Sequence, residues 1–343
     1  LKLIIAMPRL LSPLFNFLLV VAIGFGLSGC LSSRLPVATS SPWQALNLNT
    51  TASPLDVGFV DANHGFLVGS NRLIMETTDG GANWSERTLD LTEEENFRLI
   101  SIDFDGDEGW IAGQPGLVMH SSDAGQSWTR LFLDAKLPGD PYLITSQGPK
   151  SAELATNVGA VYRTTDGGTS WESKMSDAAG AVRDLRRSDD GSYVSVSSLG
   201  NFFATWDPGQ ETWQVHQRVS SKRLQSIGYQ PNGELWLVAR GAEIRFNQNP
   251  GDAESWEKPI VPILNGYGYM DMAWDPNGDL WLAGGNGTLL SSEDHGESWQ
   301  ADPVGDEEPS NFIRILFDTD SGQSNKGFVL GERGHMLRWA GQA

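Results

Sequence analysis

The stretch "TTDGGANW", residues 77–84, sets two threonines, an aspartate, two glycines and an asparagine ahead of a tryptophan. Taken alone it fits a calcium loop, a sugar-binding turn or a plain β-turn. It recurs as "SSDAGQSW" (121–128), "TTDGGTSW" (164–171) and "SSEDHGESW" (291–299), so the shared pattern is Ser/Thr-x-Asp-x-Gly-x-x-Trp. The tryptophans form a ladder, Trp84, Trp128, Trp171, Trp213, Trp256 and Trp299, in steps of 44, 43, 42, 43 and 43 residues. A period near 43 residues holding several short strands is the size of one propeller blade.

Each repeat reads as four strands. The second is easiest to follow: "GFLVG", "GWIAG", "SYVSVS", "ELWLVA", "DLWLAG" and "GFVLG" alternate apolar and small residues between turn signals. Six full repeats run from about Leu55 to Val304, and a seventh begins at Asn311 but stops before its fourth strand. Trp43 lies 41 residues before Trp84, nearly on the ladder, so the segment "SPWQALNL" is expected to supply the missing outer strand. That closure removes an open sheet edge. The expected fold is all-β, a seven-bladed β-propeller over residues 43–343 whose N-terminal strand closes the last blade.

The repeated turn resembles the Asp-box of sialidases and other propellers, a hairpin between the third and fourth strands. There the Ser/Thr and Asp side chains bond the turn backbone and Gly takes a positive φ. A calcium cage needs several carboxylates per loop at EF-hand spacing, and three of the four copies have a single carboxylate, one Asp. The motif is therefore read as structural.

Composition narrows the function. The 343 residues carry a net charge of -19, which argues against a general nucleic-acid binder. Cys30 is the only cysteine and cannot form an internal disulfide. It follows an apolar run, Leu14 to Leu27, of signal-peptide length, with Met7 a plausible start, and "LSGC" (27–30) resembles the bacterial lipobox. The expectation is a lipoprotein signal peptide over 1–29, lipidation at Cys30, a linker over 30–42, and a stable membrane tether.

No catalytic constellation stands out. The sialidase resemblance implies an arginine triad with an Arg-Ile-Pro motif and a Tyr–Glu pair, but Arg-Ile-Pro is absent and only six tyrosines occur. The five histidines show no metal-ligand spacing. Phosphate loops and nucleophile elbows are missing. An exported glycan-binding or glycan-hydrolysing propeller stays as the alternative reading. A Tyr–Glu or carboxylate pair in the central funnel would support it.

Charge breaks pattern between residues 180 and 245. Eight basic residues, Arg183, Arg186, Arg187, Arg218, Lys222, Arg223, Arg240 and Arg245, face seven acidic ones. The rest of the chain holds sixteen basic and thirty-six acidic residues. The two repeats in this window have lost the turn motif, reading "TWDPGQETW" and "NQNPGDAESW". Propeller connectivity sends loops into the first strand, and loops between strands two and three, to the face opposite the Asp-boxes. Arg183, Arg218, Lys222, Arg223 and Arg240 are expected to converge there near the inner rim. Such a patch attracts a carboxylate-bearing partner.

The run "GNFFATWDPGQETWQVHQRVSSKRLQSIGYQPNGELWLVARG" (200–241) resembles the photosystem II assembly and stability factor family of cyanobacteria and plastids, and the likeness extends over the lipobox, the seven repeats and the arginine-rich blades. That resemblance implies a non-catalytic, monomeric, cofactor-free protein on the lumenal side of the thylakoid membrane, or the periplasmic face of the plasma membrane. It implies binding of precursor D1 and photosystem II reaction-centre intermediates. It also implies that Arg183, Arg186, Arg187, Arg218, Arg223 and Arg240 bind the partner, with the D1 carboxyl-terminal extension a suitable ligand.

Overall fold

Seven antiparallel sheets, six of four strands and one of three, follow one another in a computed structural model that describes residues 35–341, except 93, 134–136, 177–178, 219, 250, 264–267 and 319–325. The signal segment 1–29 and Cys30 lie outside the described residues. Blade one holds β2 (Pro54–Phe59), β3 (Gly65–Gly69), β4 (Ile74–Thr77) and β5 (Ser85–Glu86). Blade two holds β6 (Arg98–Asp105), β7 (Glu108–Gln114), β8 (Leu117–Ser121) and β9 (Thr129–Leu131), and blade three holds β10 (Pro141–Ser146), β11 (Ala152–Thr156), β12 (Val161–Thr164) and β13 (Glu172–Met175). Blade four holds β14 (Val182–Arg187), β15 (Tyr193–Ser197), β16 (Phe202–Trp206) and β17 (Gln214–Gln217). Blade five has three named strands, β18 (Leu224–Tyr229), β19 (Leu235–Ala239) and β20 (Glu243–Phe246), and its outer position is filled by isolated bridges from Trp256 and Ile260. Blade six holds β21 (Tyr269–Trp274), β22 (Leu280–Gly284), β23 (Leu289–Ser292) and β24 (Gln300–Ala301), followed by the short helix α1 (Val304–Glu307).

Blade seven closes the ring as the tryptophan ladder predicts. β25 (Phe312–Asp318), β26 (Lys326–Gly331) and β27 (His335–Trp339) are joined on the outside by β1 (Trp43–Asn47), which pairs antiparallel with β27 from Trp43↔Trp339 to Asn47↔His335. All seven blades are thus built from residues 43–341.

The Asp-box carries the fold, and its Thr and Asp side chains bond only within their own turn. In blade one the Thr77 hydroxyl accepts the Gly81 N–H at 2.9 Å, and Asp79 accepts the Asn83 N–H at 2.9 Å and its side-chain amide at 2.7 Å. The same bonds recur around Asp123, Asp166 and Asp294. The side-chain bond from Asn83, then its N–H, hold the Asp79 carboxyl down at about 2. Gly81 has φ +84°, and a Cβ there would sit 2.6 Å from the Phe328 ring of the preceding blade. Only glycine allows both the turn and that approach.

The ladder tryptophans wedge between blades. Trp84 packs on Phe328, Trp128 on Phe66, Trp171 on Trp110 and Trp256 on Phe203, each an aromatic of the preceding blade with ring centroids 5.7–6.3 Å away. Trp43 does the same for blade seven, meeting Trp281 of blade six at 5.4 Å. The core is therefore a series of inter-blade clusters.

Residues 36–38, expected in the linker, are docked instead. Val37 forms a parallel bridge with Ala301. The β24 edge would otherwise leave its N–H and C=O unpaired, and Pro36 and Ala38 satisfy them.

Candidate functional site

The inner strands surround a central cavity of about 1490 Å³ lined by all seven blades. In every blade the pairing of the first two strands slips by one residue near the start of the first strand, between Pro54 and Asp56 in blade one and at the matching places in the others. A bulge frees backbone groups and re-aims side chains. The residues just past it are Asp56, Ser101, Leu143, Asp184, Ser226, Asp271 and Arg314. Four of them accept a backbone N–H from the next blade: Asp56 from Ile102 (3.1 Å), Ser101 from Ile144 (3.2 Å), Asp184 from Ile227 (3.2 Å) and Asp271 from Ile315 (3.1 Å). Arg314 links blade seven back to blade one through Asp56 at 3.3 Å.

Against this ring the arginines divide into two sets. Arg186 is structural. Its guanidinium bonds Asp271 at 2.8 Å and Asp184 at 3.2 Å, so it joins blade four to blade six across blade five, over the Trp236 ring. Burial works against its charge, but Asp184 and Asp271 outweigh that and hold it protonated. Asp271 is 1% exposed, and burial pushes its carboxyl up against the pull of Arg186. Arg187 is held by Glu153 at 2.9 Å. Arg218 bonds Glu243 at 3.0 Å, in a cluster that also takes Lys222 and Arg245.

The second set faces solvent. Arg183 lines the cavity; it donates to the Leu224 carbonyl at 3.1 Å and to Gln225, with no carboxylate bound. Arg240 also lines the cavity and is exposed, without a side-chain partner among the described residues. Arg223 is exposed on the rim beside it, since the Arg240 N–H bonds the Arg223 carbonyl at 2.9 Å. The six expected residues therefore share one half of the ring but do not form one free patch. Arg186, Arg187 and Arg218 are drawn into ion pairs because acids from other strands or blades reach them.

Arg98 was not among the expected residues. It is exposed, lines the cavity from blade two, and has no side-chain partner among the described residues. Both Arg98 and Arg223 stand two residues before the bulge of their blades. A signal was present: "RLISI" (98–102) and "RLQSI" (223–227) match in all but one position. A search confined to the charge-rich window passes over it.

The mouth with Arg98, Arg183 and Arg240 lies on the face opposite the Asp-boxes. Asp-box turns contact the turns between strands one and two, as in Gly80 N–H to Asn63 (2.9 Å), while loops between strands two and three contact the entries to strand one. The cationic mouth is thus built by connectivity.

A Tyr–Glu pair does occur, but away from the funnel. The Tyr193 hydroxyl donates to Glu153 at 2.7 Å, and Tyr193 is 1% exposed between blades three and four, its hydroxyl pushed well up by burial. Tyr142, which lines the cavity, donates to the Arg183 carbonyl at 2.8 Å, and burial raises it to about 12. Both hydroxyls are committed as donors, Tyr193 to a carboxylate and Tyr142 to a backbone carbonyl. No helix among the described residues is long and apolar enough to cross a membrane.

Comparison with known proteins agrees on one family. The family model described as "Photosynthesis system II assembly factor YCF48" matches residues 35–340. The photosystem II assembly lipoprotein Ycf48 of Prochlorococcus marinus (strain MIT 9313) is 70% identical over 335 residues, covering 98% of this chain and 100% of that protein. A solved structure of YCF48 bound to a D1 peptide superposes with a TM-score of 0.86 at 44% identity, covering 92% of this chain and 100% of that one. YCF48 from Cyanidioschyzon merolae superposes with a TM-score of 0.81 at 34% identity, covering 87% and 98%.

Proposed function

The chain belongs to the photosystem II assembly factor YCF48 family, and on that premise we propose that it captures precursor D1 through the cationic mouth of its propeller. The observation that carries this reading is the set of cavity-lining arginines without carboxylate partners, Arg98, Arg183 and Arg240, on a protein of net charge -19. Guanidinium groups left without a carboxylate at a concave mouth suit a peptide carboxylate, which two N–H donors can grip at once. Arg223 extends the patch outward. Arg186, Arg187 and Arg218 hold the scaffold in shape and act on the partner only through it.

The ligand is the carboxyl-terminal extension of D1, presented on reaction-centre intermediates. The protein acts as a monomer and by binding, without catalysis. Lipidation at Cys30 keeps it on the lumenal side of the thylakoid membrane. Support for D1 comes from the relative solved with a D1 peptide. Support for the anchor comes from the lipobox-like "LSGC" and from the relatives named as lipoproteins.

The test is peptide binding by calorimetry. A D1 carboxyl-terminal peptide is compared with its amidated form on wild type and on the Arg98→Ala/Arg240→Ala variant. Both changes should weaken binding at least tenfold, and raised salt should narrow the gap. Equal affinity of the two peptides for the wild type, with the variant unchanged, refutes the mouth as the carboxylate site.

A further inference from the structure

The docked segment 36–38 fixes where the chain enters the propeller. The Ala301 N–H donates to the Pro36 carbonyl at 2.8 Å, and the Ala38 N–H donates to the Ala301 carbonyl at 2.9 Å. The bridge is parallel. β24 starts directly after Trp299 and the Asp-box turn, so it runs away from the Asp-box face. A parallel neighbour runs the same way, and the chain therefore arrives at blade six from the Asp-box side. Six peptide steps separate Cys30 from Pro36 in the sequence. At about 3.5 Å per residue, no conformation of that stretch reaches beyond about 21 Å.

We infer that the Asp-box side of the blade-six rim is the part of the propeller held nearest the lipid bilayer, with the arginine mouth turned away from it. This rests on the reading of Cys30 as the lipid anchor. Going from the blade-six Asp-box turn to the turn at Asn286 on the other face spans five or six strand residues, about 17–20 Å. Contact with a bilayer laid against the arginine face would take nearly all of that reach. The rim itself adds no adhesion to an anionic surface. Glu293 and Glu297 are exposed there, and Asp294 is held down at about 2 by bonds from Ser298 and Ser292, so the rim is acidic at any physiological pH. Like charges within a Debye length, about 8 Å, keep it standing off. The lipid chains tether, the β-bridge orients, and the mouth stays open to partners.

The experiment uses the chain from Cys30 onward, coupled through that thiol to a maleimide lipid in vesicles. Cellular lipidation is then not needed, so failure of the orientation is distinguishable from failure of the anchor assignment. A donor fluorophore is placed at Glu297 (Asp-box side, blade six), Asn286 (opposite face, same blade) or Lys150 (Asp-box side, blade three), and acceptor headgroup lipids are titrated in. The acceptor density for half-quenching should be at least twofold lower at Glu297 than at the other two positions. Ala38→Pro removes the N–H to Ala301 and should narrow that difference. A ten-residue Gly/Ser insertion between positions 35 and 36 should narrow it too, and serves if the proline variant does not fold. Equal quenching at all positions, strongest quenching at Asn286, or an unchanged difference in both variants overturns the inference.

Discussion

Trp43→Ala is the sharpest test of how the ring closes. Trp43 is 3% exposed and lies at the seam where the first strand meets the last blade. Its ring meets Trp281 at 5.4 Å, Phe317 at 5.6 Å and Trp339 at 5.0 Å. Aromatic truncation in a core costs about 3–5 kcal/mol, part of it from the three ring contacts at about 0.5–1.5 kcal/mol each. Its Nε1 has no hydrogen-bond partner among the described residues, so no lost hydrogen bond adds to that cost. Across about 300 residues the loss corresponds to a fall in Tm of about 5–8 °C. Urea unfolding followed by tryptophan emission gives the free energy, and the exposed Gln44→Ala on the same strand is the control, expected within about 0.5 kcal/mol of wild type. A Trp43→Ala loss below about 1 kcal/mol would mean that β1 pairing alone closes the ring, and the seam argument fails.

Arg186→Ala should destabilise by about 3–5 kcal/mol, because it leaves Asp271 buried without its counter-charge, while Arg186→Met should lose less; chemical unfolding that places both near wild type removes Arg186 from the scaffold. Asp79→Ala should lose about 1 kcal/mol by the same measurement and leave D1-peptide affinity unchanged, since the Asp79 side chain bonds only its own turn. The Asp79, Asp166 and Asp294 carboxyls sit near 2 in the folded protein against 3.8 when free, so they stabilise the fold fully above about pH 4 and lose that contribution as pH falls toward 2. Melting curves across that window should show stability dropping with acid, and a smaller drop in the Asp79→Ala variant. Arg218→Ala should change peptide binding less than Arg240→Ala, since Arg218 is committed to Glu243; calorimetry showing the reverse order relocates the site.

Much of this architecture is legible from one line of sequence. A blade is a run of hairpins between residues close in the chain, so turn chemistry and the tryptophan step state it locally. The Asp-box spells its own hydrogen bonds, from the Gly81 N–H to Thr77 and from the Asn83 N–H to Asp79, within eight residues. Closure by β1 is legible too, because Trp43 keeps the ladder spacing from the other end of the chain. Even the missed Arg98 is written in "RLISI", once the blades are aligned on one another instead of scanned for charge.

The state of each arginine is not written there. Arg183, Arg186 and Arg187 lie within five residues on one strand, yet one is open to the cavity and two are locked in ion pairs. The partners that decide this, Asp271 and Glu153, stand 85 and 34 residues away and arrive on other blades. Local sequence sets the blade count because strand pairing and turns act between near neighbours. Only the closed ring settles which charges stay free, because Coulomb attraction at about 3 Å depends on side chains that the ring alone brings together.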